Sequence, residues 1–197
     1  IVPRLGLRRD SFVIEVASND GYLLRNFVAA GIPCLGIEPT ARTADAAEKI
    51  GIPVLREFFG EDLARKFALD NKQADLIIGN NVLAHVPDLN DFTAGMQRVL
   101  APRGVITIEF PHLARLIEAN QFDTIYHEHF SYFSFFTAEK VFDAHGLTLF
   151  DVEELPSHGG SLRIYARHAE NRALPVSPAV DALRRRELEA GVTRLET

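Results

Sequence analysis

Segments with the pattern of buried strands alternate with helical segments along most of this chain. Apolar runs rich in β-branched residues predict seven strands, near residues 12–17, 33–37, 53–56, 75–79, 104–109, 147–153 and 161–167. Helical patterns separate the first five strands, near residues 22–31, 41–50, 60–69 and 91–101. This alternation is typical of βαβ units, so we predict an α/β fold with a doubly wound, mostly parallel sheet and a C-terminal antiparallel hairpin.

The chain changes character after Ala169. Prolines flank a linker there, and Ser177 is predicted to cap a charged helix over residues 178–195. We therefore treat residues 1–170 as the main domain. Residues 171–197 are expected to form a linker and a helix that lead towards a further segment.

Composition excludes several functional classes. A net charge of −6 argues against a nucleic-acid partner, because a surface that follows phosphates is normally basic. No apolar run reaches the roughly 20 residues needed to cross a bilayer, so no membrane partner is expected. The single cysteine, Cys34, cannot form an internal disulfide or build a cysteine zinc cluster, and it suits a reducing cytoplasm. Because the chain begins at Ile1 without Met, both ends are treated as cuts.

The stretch from Phe12 to Gly21, FVIEVASNDG, predicts a buried strand that turns sharply into a helix. Backbone N–H groups at such a turn suit a polar or anionic part of a nucleotide-like ligand. The turn has little glycine, but Asn19 and Asp20 tolerate the left-handed backbone that glycine usually supplies. Glu15 lies within the buried strand, where a carboxyl group is expected to need a hydrogen bond.

Polar residues also follow the second and fourth strands. Glu38, before Pro39, can accept hydrogen bonds from both hydroxyls of a ribose; a solvated turn residue is the alternative. Asn80 can present its amide to an amino group of a ligand, and Asn81 can cap the next turn. These features suit a nicotinamide dinucleotide or S-adenosylmethionine. Because no G-x-G-x-x-G pattern is present to approach a pyrophosphate, we favour S-adenosylmethionine.

Together, VIEVASNDG, GIEPT and NNVLAHVPD resemble the class I S-adenosylmethionine-dependent methyltransferases. The blocks YHEHFSYFS and SHGGSLR narrow the resemblance to sugar C-methyltransferases, which act on nucleotide-linked keto-deoxysugars. The resemblance implies a seven-stranded sheet, with S-adenosylhomocysteine as the product. The residues that we assign to the cofactor are Glu15, Ala17, Asn19, Gly21, Glu38, Pro39, Asn80 and Asn81. The resemblance also implies an N-terminal zinc domain and a C-terminal α/β domain, neither of which is expected among these residues.

Methylation of carbon requires a base, because carbon becomes nucleophilic only after a proton beside a carbonyl group is removed. Histidine titrates near neutral pH, so the segment Tyr126-His127-Glu128-His129 offers candidate bases. By resemblance, His129 is the base, and Tyr126 and Glu128 line the same pocket. If the segment is extended, His127 and His129 share one face. No third ligand follows at a regular spacing, so no metal is predicted and His127 is interpreted as structural.

Three further residues are candidates for binding the substrate, a small molecule that is expected to be a nucleotide-linked keto sugar. His158 and Gly159 lie in the predicted hairpin turn, where a surface histidine is nearly as well supported. His112 follows the fifth strand, near the expected ligand. The roles of His85, His112 and His127, the oligomeric state and the identity of the sugar stay open. A methyltransferase with another small substrate and a non-catalytic methyltransferase-like domain are the alternatives, and a nicotinamide oxidoreductase is the weakest.

Overall fold

The computed structural model describes residues 1–69 and 72–194, and its centre is a seven-stranded sheet. The strands are β1 Val13–Val16, β2 Cys34–Ile37, β3 Val54–Leu55, β4 Ala74–Asn80, β5 Leu100–Pro111, β6 Leu147–Leu155 and β7 Ser161–His168. Their order across the sheet is β3-β2-β1-β4-β5-β7-β6. Strands β1 to β5 pair in parallel, and β7 runs antiparallel to both β5 and β6. The predicted α/β fold with a terminal antiparallel hairpin is confirmed.

Helices cover both faces of this sheet. They are α1 Val2–Leu5, α2 Arg25–Ala29, α3 Ala41–Lys49, α4 Glu61–Leu69, α5 Leu89–Val99, α6 Leu113–Glu118, α7 Phe135–Asp143 and α8 Pro178–Glu189. Helix α2 is shorter than predicted because tight turns occupy residues 21–24. Helix α6 was not predicted, and the last helix ends at Glu189, so its predicted continuation over residues 190–194 is wrong. The predicted end of that helix, Leu195, lies outside the described residues. No helix in the described part of the chain is long and apolar enough to span a membrane.

The central strand β1 has apolar cores on both of its faces. Ile14 packs with Ile77 of β4 on one face, whereas Val13 packs with Leu76 on the other, and all four are fully buried. Burial of each such side chain contributes about 1.5–3 kcal/mol. The carboxyl end of β1, and the turn that follows it, are therefore held firmly in place.

Helix α8 packs against the body of the fold through an acidic residue as well as through apolar ones. Glu187 is 2% exposed and accepts hydrogen bonds from the backbone N–H groups of Phe135 and Phe136, at 2.6 and 2.9 Å. These are free N–H groups at the start of α7, where a carboxylate is favoured. Val180 and Leu183 of α8 join the main core. The division of the chain at residue 170 stays a prediction.

Candidate active site

The turn after β1 takes the left-handed backbone conformation three times, at Ala17 (φ 55°), Asn19 (φ 50°) and Gly21 (φ 77°). The prediction for Asn19 is confirmed, but the prediction for Asp20 is wrong. Instead, the Asp20 side chain accepts a hydrogen bond from the Tyr22 N–H at 3.2 Å, which closes a local turn. Ala17 takes the remaining left-handed position despite its Cβ.

Gly21 is required by packing as well as by its backbone angle. A Cβ atom there would lie 2.7 Å from Cγ1 of Ile52 and 3.1 Å from Cβ of Ala47. The same turn presses against β2, because a Cβ atom at Gly36 would lie 2.3 Å from Oγ of Ser18. The turn therefore lies too close to its neighbours to move without disturbing the core.

Glu38 ties this turn to the end of β2. Its side chain is buried, at 4% exposure, so the alternative of a solvated turn residue is wrong. The Asn19 N–H donates to Oε2 at 3.1 Å, and the Thr40 N–H donates to Oε1 at 2.8 Å. Each carboxylate oxygen can accept a further hydrogen bond, so Glu38 is already oriented for hydroxyl groups of a ligand.

Glu15 has an unusual environment in the middle of the sheet. It is 5% exposed, and its Oε2 atom has no hydrogen-bond partner among the described residues, contrary to expectation. Burial, assisted by the Asp20 carboxylate, raises the pKa of Glu15 from 4.5 to about 8. The sheet therefore tolerates this side chain as a neutral carboxylic acid near neutral pH.

We expect Glu15→Gln to remove a pH dependence of stability. Between the usual pKa of 4.5 and about 8, folded Glu15 holds a proton that the unfolded chain has lost, so wild-type stability falls as pH rises. The stability of Glu15→Gln relative to wild type should increase by roughly 3–4 kcal/mol from about pH 5 to about pH 8 in urea unfolding. Asp62→Asn, at a side chain that is 96% exposed, is the control and should show no such trend. Parallel pH profiles for wild type and Glu15→Gln would contradict the expectation.

A cavity of about 680 Å³ opens at the carboxyl ends of β1, β2 and β4. Seven of the eight residues predicted to bind the cofactor line it: Glu15, Ala17, Asn19, Glu38, Pro39, Asn80 and Asn81. The eighth, Gly21, does not line the cavity and instead packs beside Ala47 and Ile52. Sequence reasoning missed six further lining residues, whose only signal was adjacency to the predicted ones: Ser18, Asp20, Tyr22, Leu23, Thr40 and Val82. His85 and Glu128 complete the wall towards the second candidate segment.

His129 is held at both ring nitrogens. Its Nδ1 atom lies 2.9 Å from the carbonyl oxygen of Thr124, and its Nε2 atom lies 2.9 Å from the hydroxyl oxygen of Tyr126. Because a carbonyl oxygen only accepts, Nδ1 carries the proton in the neutral ring and Nε2 carries the lone pair. The Tyr126 hydroxyl therefore donates to the basic nitrogen of His129.

The segment around His129 is a turn, so the predicted face-sharing of His127 and His129 is wrong. The His129 N–H donates to the Tyr126 carbonyl at 3.1 Å, and the Tyr126 and His129 rings lie 4.1 Å apart. In contrast, the side chains of His127 and Glu128 are 91% and 66% exposed. The turn thus brings Tyr126 against His129, whereas Glu128 lies exposed at the edge of the cavity.

His85 connects this turn to the cavity. Its Nδ1 atom lies 3.0 Å from the carbonyl oxygen of Glu128, and its ring centroid lies 4.7 Å from that of His129. His85 also lines the cavity beside Asn81. His85 therefore contacts both the candidate base, His129, and the cavity.

The remaining predicted residues lie elsewhere. His112 is 4% exposed, and its Nε2 atom lies 2.7 Å from Oε1 of Glu187, so it does not join the cavity. His158 is exposed in a left-handed conformation (φ 52°), next to Gly159 (φ 75°). Among the described residues, no group of three His, Cys, Asp or Glu side chains could hold a metal ion, and Cys34 is buried.

The sheet order with an antiparallel seventh strand, the carboxylate after β2 and the cavity at the strand ends are those of the class I S-adenosylmethionine-dependent methyltransferases. The chain belongs to the methyltransferase family, since residues 1–152 match the family described as "Methyltransferase domain". Residues 156–197 match a second family, "C-methyltransferase C-terminal domain", so the expectation that these residues include no part of a C-terminal domain is wrong.

Known proteins agree with this assignment. The chain is 36% identical to C-methyltransferase NovU of Streptomyces niveus over 97% of its own length and 45% of that protein, so it spans less than half of this relative. The PH0226 protein of Pyrococcus horikoshii matches with a TM-score of 0.68 and 15% identity over 85% of each chain. A methyltransferase of Thermotoga maritima matches with a TM-score of 0.61 and 20% identity over 82% and 83% of the two chains. These two structures support the fold alone.

Proposed function

We propose that this chain transfers a methyl group from S-adenosylmethionine to the carbon beside the ketone of a nucleotide-linked deoxysugar. Similarity to C-methyltransferase NovU over 97% of the chain supports transfer to carbon. The observation that carries the proposal is the Tyr126–His129 pair, because transfer to carbon needs a base that removes a proton beside the ketone. We place the protein in the cytoplasm, which suits its single buried thiol, Cys34.

The cavity residues fit the proposed cofactor. A volume of about 680 Å³ suits a nucleoside-sized ligand. Glu38 can accept from ribose hydroxyls, and Asn80 offers an amide at the end of β4. The unpartnered Oε2 of Glu15 lies beside the cavity, where a positively charged ligand would favour the ionised carboxylate. When bound, S-adenosylmethionine supplies an electrophilic methyl group on a positively charged sulfur.

The proposed chemical step begins at His129. Nε2 takes the proton from the carbon beside the ketone, and the C–H electron pair moves into the enolate. The Tyr126 hydroxyl, displaced from Nε2, is then free to donate to the enolate oxygen. A positioned base contributes about 10²- to 10⁴-fold to the rate. After the reaction, the imidazolium returns its proton to solvent.

Other residues hold or extend this site. His85 supports the turn through the Glu128 carbonyl and through edge contact with the His129 ring. We retain His158 and Gly159 as contacts for the acceptor, since their exposed turn is bonded to Gln121, on the segment that leads to Tyr126.

Proton exchange at the acceptor tests the proposal directly. The chain is incubated in D₂O with S-adenosylhomocysteine and a thymidine-diphosphate-linked 4-keto-6-deoxyhexose. Deuterium is expected at the carbon beside the ketone, measured by mass spectrometry, and a methylated product is expected when S-adenosylmethionine is added. Binding of S-adenosylhomocysteine without exchange or methylation would favour another substrate or a non-catalytic domain.

We expect Glu38→Ala to weaken cofactor binding. The substitution removes the acceptor for ribose and leaves the N–H groups of Asn19 and Thr40 without their partner. The dissociation constant for S-adenosylhomocysteine, measured by calorimetry, should rise about 10- to 100-fold. Glu48→Ala, on the exposed side of α3, is the matched control and should bind like wild type. Equal affinities for the Glu38 and Glu48 variants would refute the role of Glu38.

A further inference from the structure

The turn at residues 157–160, named here the HGG turn, has an irregular backbone. His158, Gly159 and Gly160 all have positive φ angles, of 52°, 75° and 124°. Glu109, at the end of β5, holds the turn from one side by accepting from Oγ of Ser157 at 2.8 Å. A second, partly buried contact of Glu109, with Arg163 at 2.7 Å, fixes its carboxylate. The HGG turn is therefore a rigid point on the sheet.

Gln121 bonds to this rigid point from the segment before the candidate base. Its Nε2 atom donates to the Gly159 carbonyl at 2.8 Å. A Cβ atom at residue 159 would lie 2.4 Å from that same Nε2 atom. A side chain at 159 would therefore displace the Gln121 amide, and the backbone angle itself favours glycine.

Further hydrogen bonds lead from Gln121 to the candidate base, His129. The Thr124 hydroxyl donates to the Gln121 carbonyl at 2.8 Å, and the Thr124 N–H donates to the same oxygen at 3.3 Å. The Thr124 carbonyl in turn accepts from Nδ1 of His129 at 2.9 Å. A continuous series of hydrogen bonds therefore joins the HGG turn to the ring nitrogen that sets the tautomer of His129.

Apart from these hydrogen bonds, few apolar contacts hold the segment of residues 117–125 in place. Phe122 is 80% exposed, Ile125 is 61% exposed and Ile117 is 59% exposed. A segment with so little buried apolar surface opens readily unless specific hydrogen bonds restrain it. The bond from Gln121 to the HGG turn supplies such a restraint.

We propose that Gln121 is a positioning residue that anchors Thr124 to the HGG turn, so that the Thr124 carbonyl keeps the proton of His129 on Nδ1 and the lone pair on Nε2. This inference rests on the proposed role of His129 as the base. In this arrangement, the HGG turn fixes the position of the turn at residues 126–129 through Gln121.

The test is a direct measurement of the His129 tautomer. Gln121→Met keeps the length of the side chain and removes its donor. Two-bond ¹H–¹⁵N NMR spectra of the full chain are expected to show the Nδ1–H tautomer in wild type and a mixture of both tautomers in Gln121→Met. With the acceptor, kcat should fall about 10- to 100-fold, while KM and the dissociation constant for S-adenosylhomocysteine should stay within about 2-fold.

A second pair of variants separates positioning from backbone strain. Gly159→Ala places a methyl group against Gln121, whereas Gly51→Ala introduces the same strain (φ 82°) in open space. Gly159→Ala is expected to reproduce the tautomer mixture of Gln121→Met, and Gly51→Ala is expected to match wild type. In the double variant with Gln121→Met, Gly159→Ala should change the tautomer no further.

A wild-type tautomer in both Gln121→Met and Gly159→Ala would overturn the inference. Failure of the proposed function would give a different experimental result. Wild type would then show no proton exchange on the keto sugar, while the NMR spectra would still report whether Gln121 controls His129.

Discussion

His129→Asn is expected to lower kcat by about 10²- to 10⁴-fold, the usual contribution of a positioned general base. Asparagine can still donate to the Thr124 carbonyl, but its amide cannot take a proton at neutral pH. Exchange of the acceptor proton into D₂O should fall by a similar factor, because deprotonation precedes methyl transfer in the proposed mechanism. Binding of S-adenosylhomocysteine should be unchanged, since His129 does not line the cofactor cavity.

The neighbouring histidine supplies the control for this experiment. His127 is on the same turn, but its side chain is 91% exposed, so His127→Asn should retain nearly all activity. A His129→Asn variant that still exchanges the proton at the wild-type rate would exclude His129 as the base. Loss of activity in His127→Asn instead would move the assignment to that residue.

Glu187→Ala is expected to destabilise the fold by about 3–5 kcal/mol, because each buried donor left without its acceptor costs about 1–3 kcal/mol. The buried His112 ring would lose its partner, and the N–H groups of Phe135 and Phe136 at the start of α7 would lose their acceptor. Urea unfolding followed by circular dichroism measures the change. Glu189→Ala, an exposed acid on the same helix, should alter stability by less than about 0.5 kcal/mol.

The effect of Glu187 should also depend on pH. Burial raises the pKa of this carboxyl group, but the bonds from His112, Phe136 and Phe135 outweigh burial and hold the pKa below its usual value of 4.5. Its stabilisation is therefore present above the pKa of the unfolded chain and is lost as pH falls through the lower folded pKa. The stability gap between wild type and Glu187→Ala should narrow in acid. A gap that is constant from neutral pH into acid would contradict this account.

Local patterns were sufficient to predict the sheet and to bring together the residues around the cavity at the ends of its strands. Each strand is an apolar run between turn residues, and the cavity is formed where β1, β2 and β4 end, so short-range signals determine both. Glu38 could be placed because the end of a parallel strand has a known position relative to its neighbours. Ala17 could not, since a left-handed alanine contradicts its own backbone preference and is imposed by packing.

The features that the sequence did not predict depend on contacts with other parts of the chain. The segment at residues 126–129 looks extended by residue type, but hydrogen bonds to Thr124 and from Phe130 to Ala84 fold it into a turn. His112 follows β5 as expected, yet its direction is determined by Glu187, far along the chain. No local pattern marks Gln121, because its partner is in the HGG turn.

The position of β7 has a consequence for how this protein is made. The last strand of the sheet to be synthesised is inserted between β5 and β6, so the edge of β5 stays unpaired until residue 168 has left the ribosome. At synthesis rates of about 5–20 residues per second, a nascent chain exposes that edge for several seconds. An open, apolar edge strand invites pairing with other chains. A chain stopped before Ser161 is therefore expected to aggregate during translation and to depend on chaperones, which sedimentation of ribosome-bound and released fragments would reveal.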